Sequence, residues 1–440
     1  MQKHLATLFA LVGAAACGDD GNAVQPDAPM QPQADAAVDT PPQVTCTPQA
    51  FRTDLTWYGT NRADLTTWLA SKGCTSAGYD ATKKPVALFD WDNTISKNDF
   101  GDAFTFYLVA HDKILQPPSQ DWTQTSPYLT SAAVTALSTA CGTTVLAGQP
   151  LPTSTNNACA DQILNIYISG TVDGTSTGVA AWGNGFNPRQ IEPAYAWTAQ
   201  LAAGYTHAEV EAIATAAITP QLTAAETATQ TIGTHAGLNG WLRIYDQTKD
   251  VIAVAQSQGY DVWIITASPQ DVIKAFSSQA GVAPDHVIGI RSKTDSANKL
   301  TYKFEGCGNV ADDNQSLISY IQGKRCWVNK VVFGETTNAM QRRPDGQRQV
   351  FAAGDSDTDI EFLRDATYRL VINRNKTELM CHAYNNTGDG WRVNPMFIGP
   401  KSAKSSAYTC STSCMNGMGT IPCLDDSNGV IANQADTVHP

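Results

Sequence analysis

The stretch VALFDWDNT at residues 86–94 joins a short apolar run to two carboxylates. A second stretch, VFAAGDSDTD at residues 350–359, has the same order of an apolar run followed by aspartates. Apolar runs of this length that end at carboxylates are typical of buried parallel strands. Ligands of open α/β sheets bind at the carboxyl edge of the strands. The two stretches therefore predict an α/β fold with an acidic site at one edge of a parallel sheet.

The aspartates of both stretches are candidates for a metal site. Asp90 and Asp92 are two residues apart after the first run, and Asp355 and Asp359 are four apart after the second. Carboxylates gathered at one sheet edge repel one another unless a hard cation such as Mg²⁺ holds them together. The simpler alternative for the first stretch, taken alone, is an aspartate-rich surface loop. Together the two stretches favour a metal-dependent enzyme.

Composition limits the classes of partner. The chain has 440 residues, with 29 Lys plus Arg against 41 Asp plus Glu, and a net charge of −12. No basic cluster stands out, so the sequence offers no electrostatic footprint for nucleic acid. A small anionic substrate would need local positive charge, from a metal ion or a lysine, to overcome the overall negative field.

The N-terminal residues have the pattern of an export signal. A basic start precedes an apolar run at residues 5–16, which is too short to span a bilayer and ends at Cys17. Because small residues before a cysteine resemble a bacterial lipobox, residues 1–17 are predicted to be a lipoprotein-type signal. An ordinary cleaved signal is the alternative. Residues 18–45, rich in Ala, Pro, Gln and Asp, are predicted to be a disordered tether. The chain is expected in the periplasm, on the cell surface or secreted, with a lipid anchor as its only membrane contact.

The cysteine count supports export. Without Cys17, ten of the 11 cysteines remain, an even number that suits disulfides in an oxidising compartment. We expect the local pairs Cys46–Cys74, Cys141–Cys159 and Cys307–Cys326, and two more bridges among Cys381, Cys410, Cys414 and Cys423. A zinc site at the last three of these is the alternative, but no nearby His or close CxxC pair supports it.

A long insertion follows the first strand. The next run of similar character spans residues 261–266, and the residues between carry no strong strand pattern. Thr206 and Glu209 form a capping box before an Ala-rich helical stretch, which Pro220 is expected to end. An insertion of this length is too long for a loop, so residues 101–245 are predicted to be a mostly helical cap domain.

The sheet then resumes. Further strands are expected at residues 287–290, 350–353 and 369–372. The predicted core domain thus comprises residues 46–100 and 246–400, and residues 401–440 form a Cys-containing tail.

In their order, the motifs resemble those of the haloacid dehalogenase superfamily of phosphohydrolases. The chain matches D-x-D-x-T at residues 90–94, an apolar strand ending in a hydroxyl at Thr266, and G-D-x-x-x-D at residues 354–359. The resemblance implies that fold, a Rossmann-like parallel sheet with a cap after the first motif strand. The residues of the motifs, together with the insertion and the export signal, most resemble those of secreted phosphoserine phosphatase-like members.

The remaining motif of that superfamily is a lysine upstream of the last aspartates. Lys330 is our choice, because it stands 25 residues before Asp355 at an expected helix start. Lys324 and Lys303 are the competitors, and most lysines are solvated surface groups.

The resemblance implies a stepwise mechanism. Asp90 would attack phosphorus and form an aspartyl-phosphate, while Asp92 would protonate the leaving alcohol and then activate water. Thr266 and Lys330 would bind the phosphoryl oxygens. Because halide departure needs no proton donor, Asp92 argues against a dehalogenase.

The resemblance also implies which residues bind the metal ion and the substrate. Mg²⁺ would be held by Asp90, Asp355 and the Asp92 backbone carbonyl, with Asp359 in support. Substrate contacts are expected from Asn93, Thr94 and Ser268, although a helix cap is the alternative role for Ser268.

The substrate is expected to be a small phosphorylated metabolite, such as a phosphorylcholine-like or phosphoserine-like ester. A quaternary ammonium could bind by cation–π attraction among aromatic residues of the insertion, whose alternative role is to pack its core. These aromatics are Trp122, Tyr128, Trp182, Tyr195 and Trp197. Two other functions stay open, namely a phosphotransferase and a non-catalytic surface lipoprotein that binds a ligand.

Overall fold

A six-stranded parallel sheet organises the computed structural model, which describes residues 46–183, 185–416 and 419–440. The strands are β1 (Val86–Phe89), β2 (Ser96–Lys97), β3 (Thr229–Ile232), β4 (His235–Asn239), β5 (Arg243–Ile244), β6 (Asp261–Pro269), β7 (Val287–Ile290), β8 (Ser292–Thr294), β9 (Leu300–Phe304), β10 (Phe351–Gly354), β11 (Tyr368–Asn373), β12 (Trp391–Pro395), β13 (Cys414–Asn416) and β14 (Gly419–Ile421). The central sheet has the order β12-β11-β10-β1-β6-β7. The predicted α/β fold with a Rossmann-like parallel sheet is therefore confirmed.

The register of the sheet brings the two acidic stretches together. Phe89 at the end of β1 pairs with Ala353 of β10 on one side and with Ile264 of β6 on the other. Because all three strands run parallel, the residues that follow these partners emerge at one edge. Every residue of β1 and β10 is buried, which explains why both sequences are apolar until they reach that edge.

Helices cover the sheet and fill the segment between β1 and β6. They are α1 (Asn61–Lys72), α2 (Phe100–Ala110), α3 (Ser131–Cys141), α4 (Asn157–Leu164), α5 (Pro193–Gln200), α6 (His207–Thr223), α7 (Asp246–Ser257), α8 (Gln270–Lys274), α9 (Gln322–Val331), α10 (Ile360–Asp365) and α11 (Thr377–Asn385). Helices α2 to α6 and the hairpin β3–β4 lie within the long insertion. The described residues from 46 onward form one compact unit, so the division into core, cap and tail stays a prediction.

Helix α6 begins as the sequence predicts but ends later. The Thr206 hydroxyl accepts a hydrogen bond from the Glu209 amide, and the Glu209 carboxylate accepts one from the Thr206 amide, at 3.3 and 2.7 Å. The helix continues through Pro220, so the predicted stop there was wrong. Proline removes one amide donor but keeps a helical φ. The guanidinium of Arg243 then donates to carbonyls of the last turn, including that of Leu222 at 2.9 Å, which stabilises this helix end.

Five disulfides link the described residues, in agreement with the predicted pairs. They are Cys46–Cys74, Cys141–Cys159, Cys307–Cys326, Cys381–Cys410 and Cys414–Cys423. The zinc alternative is excluded, because all three of its cysteines are used in disulfides. Within the described part of the chain, no helix has the length and apolar character to cross a membrane. The predicted signal at residues 1–17 and tether at residues 18–45 lie outside the described residues.

Candidate active site

Strand β1 delivers two aspartates to the sheet edge in different environments. The Asp90 amide still follows the strand and donates to the carbonyl of Ala353 at 3.0 Å, and its side chain is buried. The next residue, Trp91, points into the core and is fully buried. The chain then turns at Asn93, whose φ of +66° lies in the left-handed region that asparagine tolerates. This turn follows Asp92, whose side chain makes a separate set of contacts.

A buried lysine holds the first aspartate. The Lys324 ammonium donates to Asp90 Oδ1 and to Asp359 Oδ1, both at 2.6 Å, and its side chain is 0% exposed. Burial alone would lower the pKa of Lys324, but the carboxylates of Asp359 and Asp90 raise it above its ordinary value. The lysine therefore stays charged. Burial and the charge of Asp359 raise the pKa of Asp90 well above its ordinary value, and the Lys324 ammonium opposes them by favouring the ionised carboxylate.

The prediction of Lys330 as the site lysine was wrong, and the competitor Lys324 takes its place. The Lys330 ammonium donates to the carbonyl of Gly306 at 2.8 Å and lies over the Trp327 ring, 4.6 Å from its centroid. Six residues along a helix correspond to a rotation of about 120° from Lys324, so the two lysines leave α9 on different faces. A sequence signal was available, because Lys324 lies on the buried face with Trp327 and Val328 at i+3 and i+4.

The second acidic stretch folds around Asp359. Its Oδ2 accepts hydrogen bonds from the amides of Asp355 and Ser356 at 2.9 and 3.0 Å, and its Oδ1 accepts from Lys324 and Thr358. Both oxygens are thus used in fixing the loop and the lysine. A Cβ on Gly354 would come within 2.8 Å of the Asp359 side chain, which explains the glycine at that position.

Asp355 faces the site with both oxygens. Its Oδ1 accepts from the Thr94 hydroxyl at 3.1 Å, and its Oδ2 accepts from the Arg374 guanidinium at 2.5 Å. Thr94 therefore orients an aspartate, and its expected contact with a substrate stays a prediction. Sequence reasoning missed Arg374, which follows β11 directly and whose relation to Asp355 depends on the parallel pairing of β10 with β11.

Three buried carboxylates could hold a metal ion. Asp90, Asp355 and Asp359 each present an oxygen, and these oxygens lie within 4.8 Å of one another. An all-oxygen anionic donor set suits a hard cation such as Mg²⁺. Asp359 accepts from two backbone amides as well as from Lys324 and Thr358, and is thus more heavily engaged than Asp355. The expectation that Asp90 and Asp355 are the ligands, with Asp359 in support, stays a prediction. The Asp92 side chain does not join this group, and a role for its backbone carbonyl stays a prediction.

The Asp92 side chain makes hydrogen bonds away from the three clustered carboxylates. Its Oδ1 accepts from the Phe100 amide at 2.8 Å, and its Oδ2 accepts from the Ser268 hydroxyl at 2.7 Å. Burial, followed by the charge of Asp99, raises the pKa of Asp92 well above its ordinary value. A carboxyl group in this state can donate a proton near neutral pH. Helix α8 has no side-chain cap, so the alternative role of Ser268 as a helix cap is replaced by contact with Asp92.

Thr266 lies in β6 at the same edge and is fully buried. Its hydroxyl accepts from the Ser268 amide at 3.1 Å, and its carbonyl accepts from the Ser319 hydroxyl at 2.6 Å. The hydroxyl proton of Thr266 remains available to a phosphoryl oxygen.

A cavity of about 400 Å³ opens beside Asn93 and Ser268, and the Ser268 hydroxyl donates to Asp92. Its lining includes Asp99, Asp102, Phe106, Tyr167, Tyr195 and Arg374. Burial and then the charge of Asp102 raise the pKa of Asp99 to about 7, and burial raises the pKa of Asp102. The Tyr167 hydroxyl donates to Asp102 at 2.6 Å. Among the described residues, neither Asp99 nor Asp102 has a salt-bridge partner.

The aromatic residues expected in a binding pocket separate into two groups. Tyr195 lines the cavity. Trp122 and Trp197 are fully buried, with ring centroids 6.4 Å apart, and Trp182 packs against Trp197. The Tyr128 hydroxyl donates to a backbone carbonyl outside the cavity. Packing of the insertion is therefore the role of most of these aromatics.

Comparison with known proteins supports an α/β fold of the haloacid dehalogenase-like kind. Residues 188–364 match the family model of the haloacid dehalogenase-like hydrolases, and the matched segment contains Thr266, Lys324 and Asp355. It begins after Asp90 and Asp92, which the parallel sheet brings to the same edge. A search of curated protein sequences gives no match. The match shows that residues 188–364 are similar to a haloacid dehalogenase-like hydrolase domain.

Three solved structures are similar to this chain to different degrees. A conserved protein of unknown function from Anaerococcus prevotii has a TM-score of 0.55 and 18% identity, over 78% of this chain and 94% of its own. A protein of unknown function from Bordetella pertussis has a TM-score of 0.40 and 15% identity, over 71% of this chain and 98% of its own. A substrate-bound phosphoserine phosphatase has a TM-score of 0.30 and 12% identity, over 66% and 86%. At 18% identity, the similarity to the Anaerococcus prevotii protein shows a shared fold and nothing about function.

Proposed function

We propose that this protein is a phosphomonoesterase that hydrolyses a small phosphate ester through an aspartyl-phosphate on Asp90. One observation carries the proposal: a fully buried, charged Lys324 bridges Asp90 and Asp359, beside an Asp92 whose pKa is raised. Phosphoryl transfer depends mainly on positioning and on charge stabilisation, which this arrangement provides.

The chain's own residues divide the reaction into two halves. In the first, an Asp90 oxygen bonds to phosphorus while the bond from phosphorus to the leaving oxygen breaks, and Asp92 gives its proton to that oxygen. In the second, water attacks phosphorus and releases Asp90, while Asp92 takes a proton from the water. Thr266 and Lys324 bind the phosphoryl oxygens in both halves. Mg²⁺ held by Asp90 and Asp355 would neutralise charge on the phosphoryl group.

The cavity favours a leaving alcohol that carries a positive charge. Asp99 and Asp102 are partly buried carboxylates that line the cavity without a salt-bridge partner among the described residues, and Arg374 is the cationic residue of the same lining. Two carboxylates against one guanidinium leave a negative charge that a cationic substrate group would offset. Tyr195 and Phe106 add aromatic faces to which an ammonium is attracted. We therefore infer that the substrate is an amino- or trimethylammonio-alkyl phosphate, of the phosphorylcholine-like or phosphoserine-like kind.

The five disulfides support a further part of the proposal, that the protein works outside the cytoplasm. Export through the N-terminal signal and attachment through a lipid on Cys17 would place the site in the periplasm or at the cell surface.

A panel of phosphomonoesters tests the proposed function. With Mg²⁺ present, phosphorylcholine should be hydrolysed with a kcat/KM at least about tenfold above that of glycerol phosphate, a difference of about 1.4 kcal/mol. In Asp102→Asn this preference should fall toward unity, while hydrolysis of p-nitrophenyl phosphate stays within a few-fold of wild type. Absence of hydrolysis of every ester over a broad range of pH and metals would overturn the phosphatase proposal. Transfer of phosphate to an added alcohol acceptor in preference to water would favour the phosphotransferase instead.

A further inference from the structure

Arg374 connects the acidic site to the cavity. It directly follows β11, lines the cavity, and its guanidinium donates to Asp355 Oδ2 at 2.5 Å. Asp355 is 1% exposed, whereas the Arg374 side chain is 28% exposed. The arginine therefore reaches a buried metal-ligand candidate from the open side.

The Arg374 guanidinium has unused hydrogen-bonding capacity. Its bond to Asp355 is the one hydrogen bond that it makes to any described residue. A guanidinium carries five N–H donors in a rigid fork that fits phosphate and carboxylate oxygens. Most of these donors are thus free to meet an anionic group that enters from the cavity.

The bond to Asp355 also sets up a competition. A carboxylate oxygen that accepts from a charged guanidinium at 2.5 Å is less available to a divalent cation, because both cations seek the same electron pairs. Thr94 already donates to the other oxygen of Asp355 at 3.1 Å. A cation that binds Asp355 Oδ2 therefore competes with Arg374, and a released guanidinium has the cavity beside it.

We propose that Arg374 is a phosphate-binding residue that changes partners, pairing with Asp355 in the metal-free protein and with a phosphoryl oxygen once a divalent cation occupies Asp355. The proposal deepens the proposed function and rests on it for the identity of the anion. It makes cation and phosphate binding cooperative, because each favours the state in which Arg374 has left Asp355.

Two binding measurements on Arg374→Gln test this role without turnover. Calorimetric titration with Mg²⁺ alone should give a Kd about three- to tenfold lower than that of wild type, since the competitor for Asp355 is gone. Titration with inorganic phosphate at saturating Mg²⁺ should give a Kd at least about tenfold higher. Arg374→Lys keeps the charge but not the fork, so its phosphate Kd should fall between those of wild type and Arg374→Gln.

Arg392→Gln is a matched control. Arg392 has the same 28% side-chain exposure and pairs with Asp64 at 2.7 Å on the edge strand β12, away from the cavity. Both of its Kd values should equal those of wild type. A structural role for Arg374 would weaken both ligands together or neither, and any result other than opposite shifts in the two Kd values overturns the proposal.

The two proposals can fail separately. Opposite shifts in a protein that hydrolyses no phosphate ester would retain the role of Arg374 and remove the phosphatase. Full phosphatase activity in wild type, with unshifted Kd values in Arg374→Gln, would retain the phosphatase and remove the proposed role of Arg374.

Discussion

At the scale of single residues, the site depends on how buried charges are paired. Lys324 pairs with two carboxylates at once, and an ammonium with 0% exposure is tolerated because both partners lie at 2.6 Å. The aspartates could be predicted from sequence, since each follows an apolar strand. Lys324 was one of three candidate lysines, and its place on the buried face of α9 could have selected it. Arg374, Asp99 and Asp102 could not be predicted, because no local motif distinguishes them and their roles arise from packing between distant segments.

Replacing the two candidate lysines should separate their roles. Lys324→Gln leaves Asp90 and Asp359 buried without a cation, so we expect a loss of about 3–5 kcal/mol in unfolding free energy and a kcat lower by about 10²–10³-fold. Lys330→Gln removes one hydrogen bond to the Gly306 carbonyl, which should cost about 1 kcal/mol and leave kcat within twofold. Urea unfolding and steady-state kinetics on p-nitrophenyl phosphate measure both. A larger kcat loss in Lys330→Gln would restore the original assignment.

At the scale of secondary structure, apolar runs and caps predicted most elements, and long-range contacts decided the rest. The strands at residues 86, 261, 287, 350 and 369 were all found, because buried parallel strands have a strong sequence pattern. The edge strand β12 was missed, and Pro220 did not end α6. In the latter case Arg243, from a different element, supplies donors that a sequence pattern around the proline does not show.

The bridge between Cys307 and Cys326 should matter for activity as well as stability. Cys326 stands two residues after Lys324 on α9, so the disulfide fixes the part of the helix that carries the ammonium. Replacing both cysteines by Ala should cost about 3 kcal/mol in unfolding free energy and lower kcat several-fold. The measurements are urea unfolding and kinetics under non-reducing conditions.

Removal of the Cys414–Cys423 bridge is the control for that experiment. The Cys414–Cys423 bridge lies in the tail and closes a shorter loop than the Cys307–Cys326 bridge, with a sequence separation of 9 against 19. Stability should fall less, and kcat should not change. Equal kcat values in both double variants would contradict a positioning role for the Cys307–Cys326 bridge.

At the scale of the whole molecule, the oxidised cysteines and buried ionisable groups set the conditions under which the fold holds. Cysteine parity and spacing predicted the three local disulfides, because short separations restrict the pairing. The sequence left the last four cysteines open, and the contact of α11 with the tail decides them.

His382 on α11 should make the molecule sensitive to acid. It is 3% exposed, and burial, followed by the charge of Arg364, lowers its pKa from 6.5 to about 4. The unfolded chain therefore binds a proton between these values while the folded protein does not, so stability falls as pH drops from about 6.5 to about 4. The contribution is roughly 3 kcal/mol over that range. The difference in urea midpoints between wild type and His382→Gln should grow smaller toward pH 4, and a constant difference would contradict the assignment.

The proposed mechanism requires that Asp90 becomes covalently phosphorylated. Asp92→Asn should still accept a phosphoryl group from p-nitrophenyl phosphate, whose leaving group needs little protonation, but it should be slow to activate water. Acid quenching followed by peptide mass spectrometry should then find a phosphate adduct on the peptide that contains Asp90. The double variant Asp90→Asn with Asp92→Asn should show none. An adduct on another residue, or turnover in wild type with no adduct in Asp92→Asn, would contradict phosphorylation of Asp90.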